Sequence, residues 1–338
     1  MKKIIAIGLA ALVLGAAGLS GCGKPAPSAA VGDDGKTKHV IKLPTYGVNL
    51  TGMDVLAIAD AKGYLDEYGV TVLQTGQLTP PNYVPAVLAG TNDGAQLMTS
   101  DGLAAIDNGA DLVEVAVSQI AVEGNPHMIY VVLKDSPIKT GADLSGKKVG
   151  VSSKLGCTAG FPLEFAAQGG VKDPNAEVEI VVTPEVTLVD ALRKGEVDVV
   201  GLHSGHEAID VLYPDVRELF SDYTIFGERG GDIAWFFPRK FVRDNPEAIR
   251  GFVGAIAKAN NFIMDYPQEA KELYFSICPD VNKEIFHTPA YARDAIVEPS
   301  HTQLWIDVLS KGDSIQPLKN KLTVEQVLDN SYNPFYTG

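Results

Sequence analysis

His203 and His206 stand three residues apart with Glu207 beside them, a spacing at which two imidazoles can share one metal ion. Zinc takes three or four ligands, and no second cluster of His or Cys accompanies this one, so no metal is expected. Cys157, in SSKLGCTAG, would become a nucleophile if His203 lay beside its thiol, because the thiolate is the attacking form. Nothing in the spacing orients that base, and no catalysis is expected. Two further stretches are near-misses. GADLSGKK, 141–148, ends on Lys148 where a phosphate loop needs Ser or Thr, and it leads into a strand instead of leaving one. GDSI, 312–315, follows a helix with no strand before it and reads as a helix stop.

What remains is binding. Residues 152–160 gather serine, threonine and glycine behind the β-branched pair Val149 and Val151. Pro162 then suits the first position of a helix, where its missing N–H costs nothing. Hydroxyls and main-chain N–H groups ahead of a helix hold small anions. An ordinary strand-to-helix connection has the same composition, and both readings stand at this point.

The surrounding pattern alternates strands and helices. Strands are predicted at 39–43, 70–74, 95–98, 113–119, 148–151, 177–182 and 197–202, and helices at 53–62, 83–88, 101–108, from Pro162 and from Val186. Past Phe237 the chain turns helical. Ile249, Phe252, Val253, Ile256 and Ile263 mark one face of a long helix starting near Pro246. Further helical segments are read at 267–276, 302–309 and 324–328. A short repeat links the two halves: residues 86–93 and 191–198 both follow A-[VL]-x-x-G-x-x-D. The glycine suits a left-handed helix cap, and the shared context predicts two similar α/β lobes.

The ends and the composition set the location. MKK followed by an apolar run at 4–19 and Leu19-Ser20-Gly21-Cys22 resembles a lipoprotein leader with its lipobox. The run is shorter than the roughly 20 residues a membrane span needs. The resemblance implies cleavage before Cys22, lipid on its sulfur, and a flexible tether from Cys22 to Lys38. With 28 basic and 42 acidic residues the chain carries a net −14, which argues against nucleic acid as a partner. Cys157 and Cys278 remain for an oxidising compartment, where a disulfide between them is open.

Together with this leader, AKGYLDEYGV at 61–70, the A-x-x-x-G-x-x-D element, ADLSGKKVGV at 142–151 and the long segment 241–270 resemble the substrate-binding proteins of ABC importers. The nearest group is the nitrate, sulfonate and taurine type, related to binders of pyrimidine precursors. The resemblance implies an α/β, periplasmic-binding-protein-like type II fold of two lobes, 39–130 plus 235–338 and 131–234. Two crossover strands would join them, near 127–133 and 224–237. It also implies a ligand held between the lobes by Thr45, Tyr46, Asn49, Ser100 and Asp101 on one side. Ser153, Cys157, Thr158, His203, Ser204 and Arg229 would hold it on the other, with Arg229 as the full positive charge. A sulfonate or similar oxyanion is the ligand expected. A pyrimidine or thiamine precursor, or another neutral or zwitterionic solute, is the alternative, and Asp101, Glu207 and Asp232 would suit a cationic one. The family resemblance calls for no cofactor, an ABC permease as partner, a monomer and an extracytoplasmic, lipid-anchored location; a ligand sensor is the other class that fits.

Overall fold

The computed structural model describes residues 30–31, 37–46, 52–154, 156–203, 205–284, 286–311 and 317–338. The expected leader, Cys22, Asn49, Ser204 and the GDSI stretch lie outside the described residues. Three sheets organise the chain. β1 (Ala30–Val31) and β3 (Val70–Gln74) flank β2 (Thr37–Leu43), β3 in parallel. The second sheet is antiparallel and runs β12 (Ala290–Tyr291), β5 (Leu112–Ile120), β11 (Ile233–Pro238), β4 (Ala95–Met98). The third runs β10 (Val216–Ser221), β6 (Ile129–Leu133), β9 (Val199–Leu202), β7 (Lys148–Val151), β8 (Glu179–Val182), with β7 parallel to both neighbours. The third sheet is built entirely from 129–221, so the chain crosses between lobes at 121–128 and at 222–232.

The repeat has one structural meaning in both lobes. Gly90 and Gly195 adopt left-handed φ values of 72° and 70°. Three residues later, Asp93 Oδ2 accepts the Lys42 N–H at 2.7 Å and Asp198 Oδ2 accepts the Lys148 N–H at 2.8 Å. Each aspartate thus fastens the end of a helix to one lobe's leading parallel strand, β2 or β7. The long helix Pro246–Asp265 buries the predicted face, Ile249, Phe252, Val253, Ile256 and Ile263, against the first lobe. A side chain on Gly254 would sit 2.3 Å from the Tyr68 ring, so the close approach there requires glycine.

Several expectations need correction. The strands expected near 127–133 and 224–237 are present as β6 and β11, but both start later than expected: an irregular segment precedes β6, and a helical turn, Asp222–Phe226 followed by Gly227–Arg229, precedes β11. Buried Asp222 binds them together, accepting the N–H groups of His127 at 3.3 Å and Met128 at 3.1 Å. Part of the expected tether is paired, since Ala30–Val31 lies antiparallel to Thr37 and Lys38. The helix expected from Pro162 begins at Gly156 and runs to Gln168 with Pro162 inside it. Cys157 and Cys278 are buried in different cores with no disulfide between them, so the open pairing is not formed. No helix among the described residues is long and apolar enough to cross a membrane.

Candidate functional site

In open α/β sheets the loops at the carboxyl ends of strands line the ligand crevice, and here they assemble two neighbourhoods. The first is a cavity of about 240 Å³ past the end of β2, lined by Thr45, Tyr46, Asp54, Tyr83, Gln96, Gln119 and Trp235 among others. Three aromatic rings supply apolar faces, and two amides supply both donors and acceptors. The polar groups are fixed by their neighbours. The Tyr46 hydroxyl donates to Asp60 at 2.9 Å, and the Trp235 indole donates to Ser118 Oγ at 2.8 Å. Asp54 caps the helix Val55–Ala61 by accepting the Leu56 N–H at 3.0 Å. Among the described residues, no lysine or arginine lines this cavity.

The second neighbourhood is the seam where the lobes meet. A Cβ on Gly156 would lie 2.7 Å from Asp101 Oδ1, so a first-lobe carboxyl rests against the first residue of a second-lobe helix. A Cβ on Gly205 would likewise lie 3.1 Å from that of His287. Cys157 Sγ stands 3.7 Å from His203 Nε2, and His203 Nδ1 is 2.9 Å from Glu185 Oε2. The other Glu185 oxygen accepts the His203 main-chain N–H at 2.7 Å. The His127 ring meets that of His203 edge-on, centroids 5.2 Å apart.

Burial governs the charges at this seam. It raises Asp101 to about 6 and lifts the Cys157 thiol against the opposite pull of His203. Burial also pushes His127 down to about 3, helped by His203 and His287. At His203 burial works against the charge, but Cys157 and Glu185 outweigh it and raise the ring to about 10.

Of the residues expected at the site, Thr45 and Tyr46 line the cavity, while Asp101, Cys157 and His203 lie together at the seam. Ser100 is buried, with a hydroxyl that meets no partner among the described residues. Thr158 turns its hydroxyl inward to the Ser153 main-chain carbonyl at 2.7 Å, a bond that ties the loop to the start of the helix. Arg229 is exposed, and its charge acts on His301, which is paired with Asp232. His206 opens the helix His206–Leu212, and its side chain and that of Glu207 are outside the described set. Sequence reasoning missed His127, Glu185, Gln96, Gln119 and Trp235. Gln96, Gln119 and Trp235 sit inside strands, where alternation with buried neighbours hides a cavity-facing residue, and Glu185 reads as an ordinary first-turn acid.

A family model described as NMT1/THI5 like matches residues 51–270, more than half the chain. A putative binding protein from Brucella abortus is 24% identical over 235 residues, 68% of each chain. Among solved structures, the periplasmic aliphatic sulphonate binding protein SsuA from Escherichia coli superposes with a TM-score of 0.66 at 18% identity. That match covers 85% of this chain and 91% of that one. The desulfurization enzyme DSZB has a TM-score of 0.52 at 14% identity, covering 87% and 97%.

Proposed function

Since the chain belongs to the NMT1/THI5-like family, we propose that it is the extracytoplasmic solute receptor of an ABC importer, anchored by lipid on Cys22. In this reading it captures a small molecule at the lobe junction and hands it to a membrane permease unchanged. The observation that carries this reading is the cavity at the end of β2, with the second lobe's matching loop held against Asp101. Two similarly built lobes on two narrow crossings suit hinge closure over a ligand.

The lining favours a neutral or cationic solute with a flat, polar body. Tyr46, Tyr83 and Trp235 offer stacking faces, Gln96 and Gln119 offer hydrogen bonds, and Asp54 is the one carboxylate among the described residues of the cavity wall. A sulfonate or similar oxyanion is the second reading, favoured by the shared fold with a sulphonate binder. It has no cation to meet it among the described residues of this cavity.

The test is a thermal-shift screen of sulfonates, nitrate, pyrimidines and amines, followed by recovery of the hit. Ligand at 100 times its dissociation constant stabilises by about 2.7 kcal/mol. A flat neutral or cationic solute that stabilises the protein and is recovered unaltered is the expected result. Conversion of the hit into product would replace the receptor with an enzyme.

A further inference from the structure

Cys157, His203 and His127 each present a metal-ligating atom, and the three atoms lie within 4.8 Å of one another. They come from three separate pieces of chain: a helix start, the end of β9 and the first crossing. We propose that they form a binding site for one thiophilic divalent cation of the zinc class. Three observations converge on it.

The first is distance. Ligands around tetrahedral zinc, at about 2.3 Å for sulfur and 2.0–2.1 Å for nitrogen, stand about 3.6 Å apart as S···N. Cys157 Sγ and His203 Nε2 are 3.7 Å apart. The second is the support of His203. Its Nδ1 faces Glu185 Oε2 at 2.9 Å, while its main chain is held by the other oxygen. A carboxylate on the far nitrogen of a histidine fixes the tautomer and aims Nε2 at a metal, as in carboxylate–histidine–zinc arrangements. The third is His127, whose Nε2 is shielded from solvent and meets no hydrogen-bond partner among the described residues. A buried imidazole nitrogen left unpaired carries a desolvation cost, which a cation shared with Cys157 and His203 removes.

A Cys–His pair acting as nucleophile and base would use Cys157, His203 and Glu185 but would leave His127 without a role. Three protein ligands leave a fourth position for water or for a solute in the cleft. This site does not depend on the importer reading: metal can bind whether or not the solute screen finds a hit.

Zinc and cobalt salts, titrated into the reduced full chain, test it. One equivalent of zinc should bind in competition with a chromogenic chelator. The cobalt form should show a thiolate-to-metal charge-transfer band together with the visible bands of a four-coordinate ion. Cys157→Ser should abolish the charge-transfer band, His127→Gln should weaken zinc binding, and Glu185→Gln should weaken it by about tenfold to a hundredfold. Cys278→Ser and Cys22→Ser should bind as the parent does. Circular dichroism checks that each variant is folded, and the parent's cobalt spectrum decides the matter without any variant. Absence of the charge-transfer band in the parent, its survival in Cys157→Ser, or unchanged zinc affinity in folded His127→Gln would overturn the proposal.

Discussion

The hydroxyl of Tyr130 lies 2.7 Å from the carbonyl oxygen of Thr158 and 3.0 Å from that of Cys157. In a regular helix the Thr158 carbonyl would accept from residue 162, but that residue is proline and has no N–H. Tyr130, fully buried and stacked on Phe220 with centroids 4.4 Å apart, supplies the missing donor. A side chain on Gly201 would sit 2.5 Å from the same ring, so β9 needs glycine there. The turn that carries Cys157 is therefore held by a second-lobe tyrosine.

Tyr130→Phe keeps the ring and removes only the donor. It should destabilise the protein by about 1–3 kcal/mol, the cost of leaving a buried carbonyl unpaired. Urea unfolding measures it. Unchanged stability would mean that the carbonyl finds another partner and that Pro162 is tolerated for another reason.

Gly141 and Gly169 pack face to face where the helix Gly156–Gln168 ends against the turn before β7. A Cβ on Gly141 would fall 1.9 Å from the Phe165 carbonyl oxygen, and one on Gly169 would fall 2.3 Å from the Ala142 nitrogen. Both obstacles are main chain and cannot rotate away. Gly141→Ala should cost about 3 kcal/mol, at the upper end of overpacking effects, in thermal or urea unfolding. A cost under about 1 kcal/mol would show that this end of the helix is free to shift.

Glu114 is buried in β5, accepting from Thr99 at 3.0 Å and Thr302 at 3.2 Å. Burial, then the nearby Asp232, push its carboxyl from 4.5 to about 8. The folded state therefore holds a proton that the unfolded chain has already lost. Glu114's share of stability is complete below about pH 4.5 and fades as pH rises toward 8. His301, paired with Asp232 at 2.9 Å, is also raised and acts in the same direction. Glu114→Gln mimics the protonated acid. Relative to the parent it should flatten the fall of stability above pH 5, by up to about 1.4 kcal/mol per pH unit. Parallel stability curves for the two proteins between pH 5 and 8 would show Glu114 ionised in the fold.

Cys157 and Cys278 are both buried, at 9% and 5% exposure, and burial raises both thiols. In metal-free native protein both should resist alkylation and both should label after denaturation. A peptide cross-linked through these two cysteines would contradict the separation of the two cores.

Much of the frame is legible in the sequence because it rests on local rules. The strands at 70–74, 95–98 and 148–151 and the helix start at Pro246 follow from alternation, turn residues and proline at a first helical position. The A-x-x-x-G-x-x-D repeat is legible for the same reason, since a left-handed glycine and a strand-fastening aspartate need a fixed spacing. GADLSGKK leads into β7, as its sequence predicts, and its first glycine is explained by packing on Phe165.

The rest is decided by partners distant in sequence. Pro162 read locally as a helix start because Tyr130, which makes it acceptable inside a helix, is 32 residues away. Thr158 reads as a donor to ligand, but its hydroxyl donates to the Ser153 carbonyl five residues earlier. Arg229 looked like the charge of the site, yet the crossing carries it toward His301. His127 and Glu185 carry no local signal, since only the docking of β6, β7 and β9 brings them to Cys157 and His203.

Capture between two lobes that close is the central claim, and small-angle scattering tests it most directly. The radius of gyration is measured for the protein alone and then saturated with the best stabilising solute from the screen. Closure about 121–128 and 222–232 predicts a smaller radius with solute present. An unchanged radius at saturation would contradict capture by closure of the lobes.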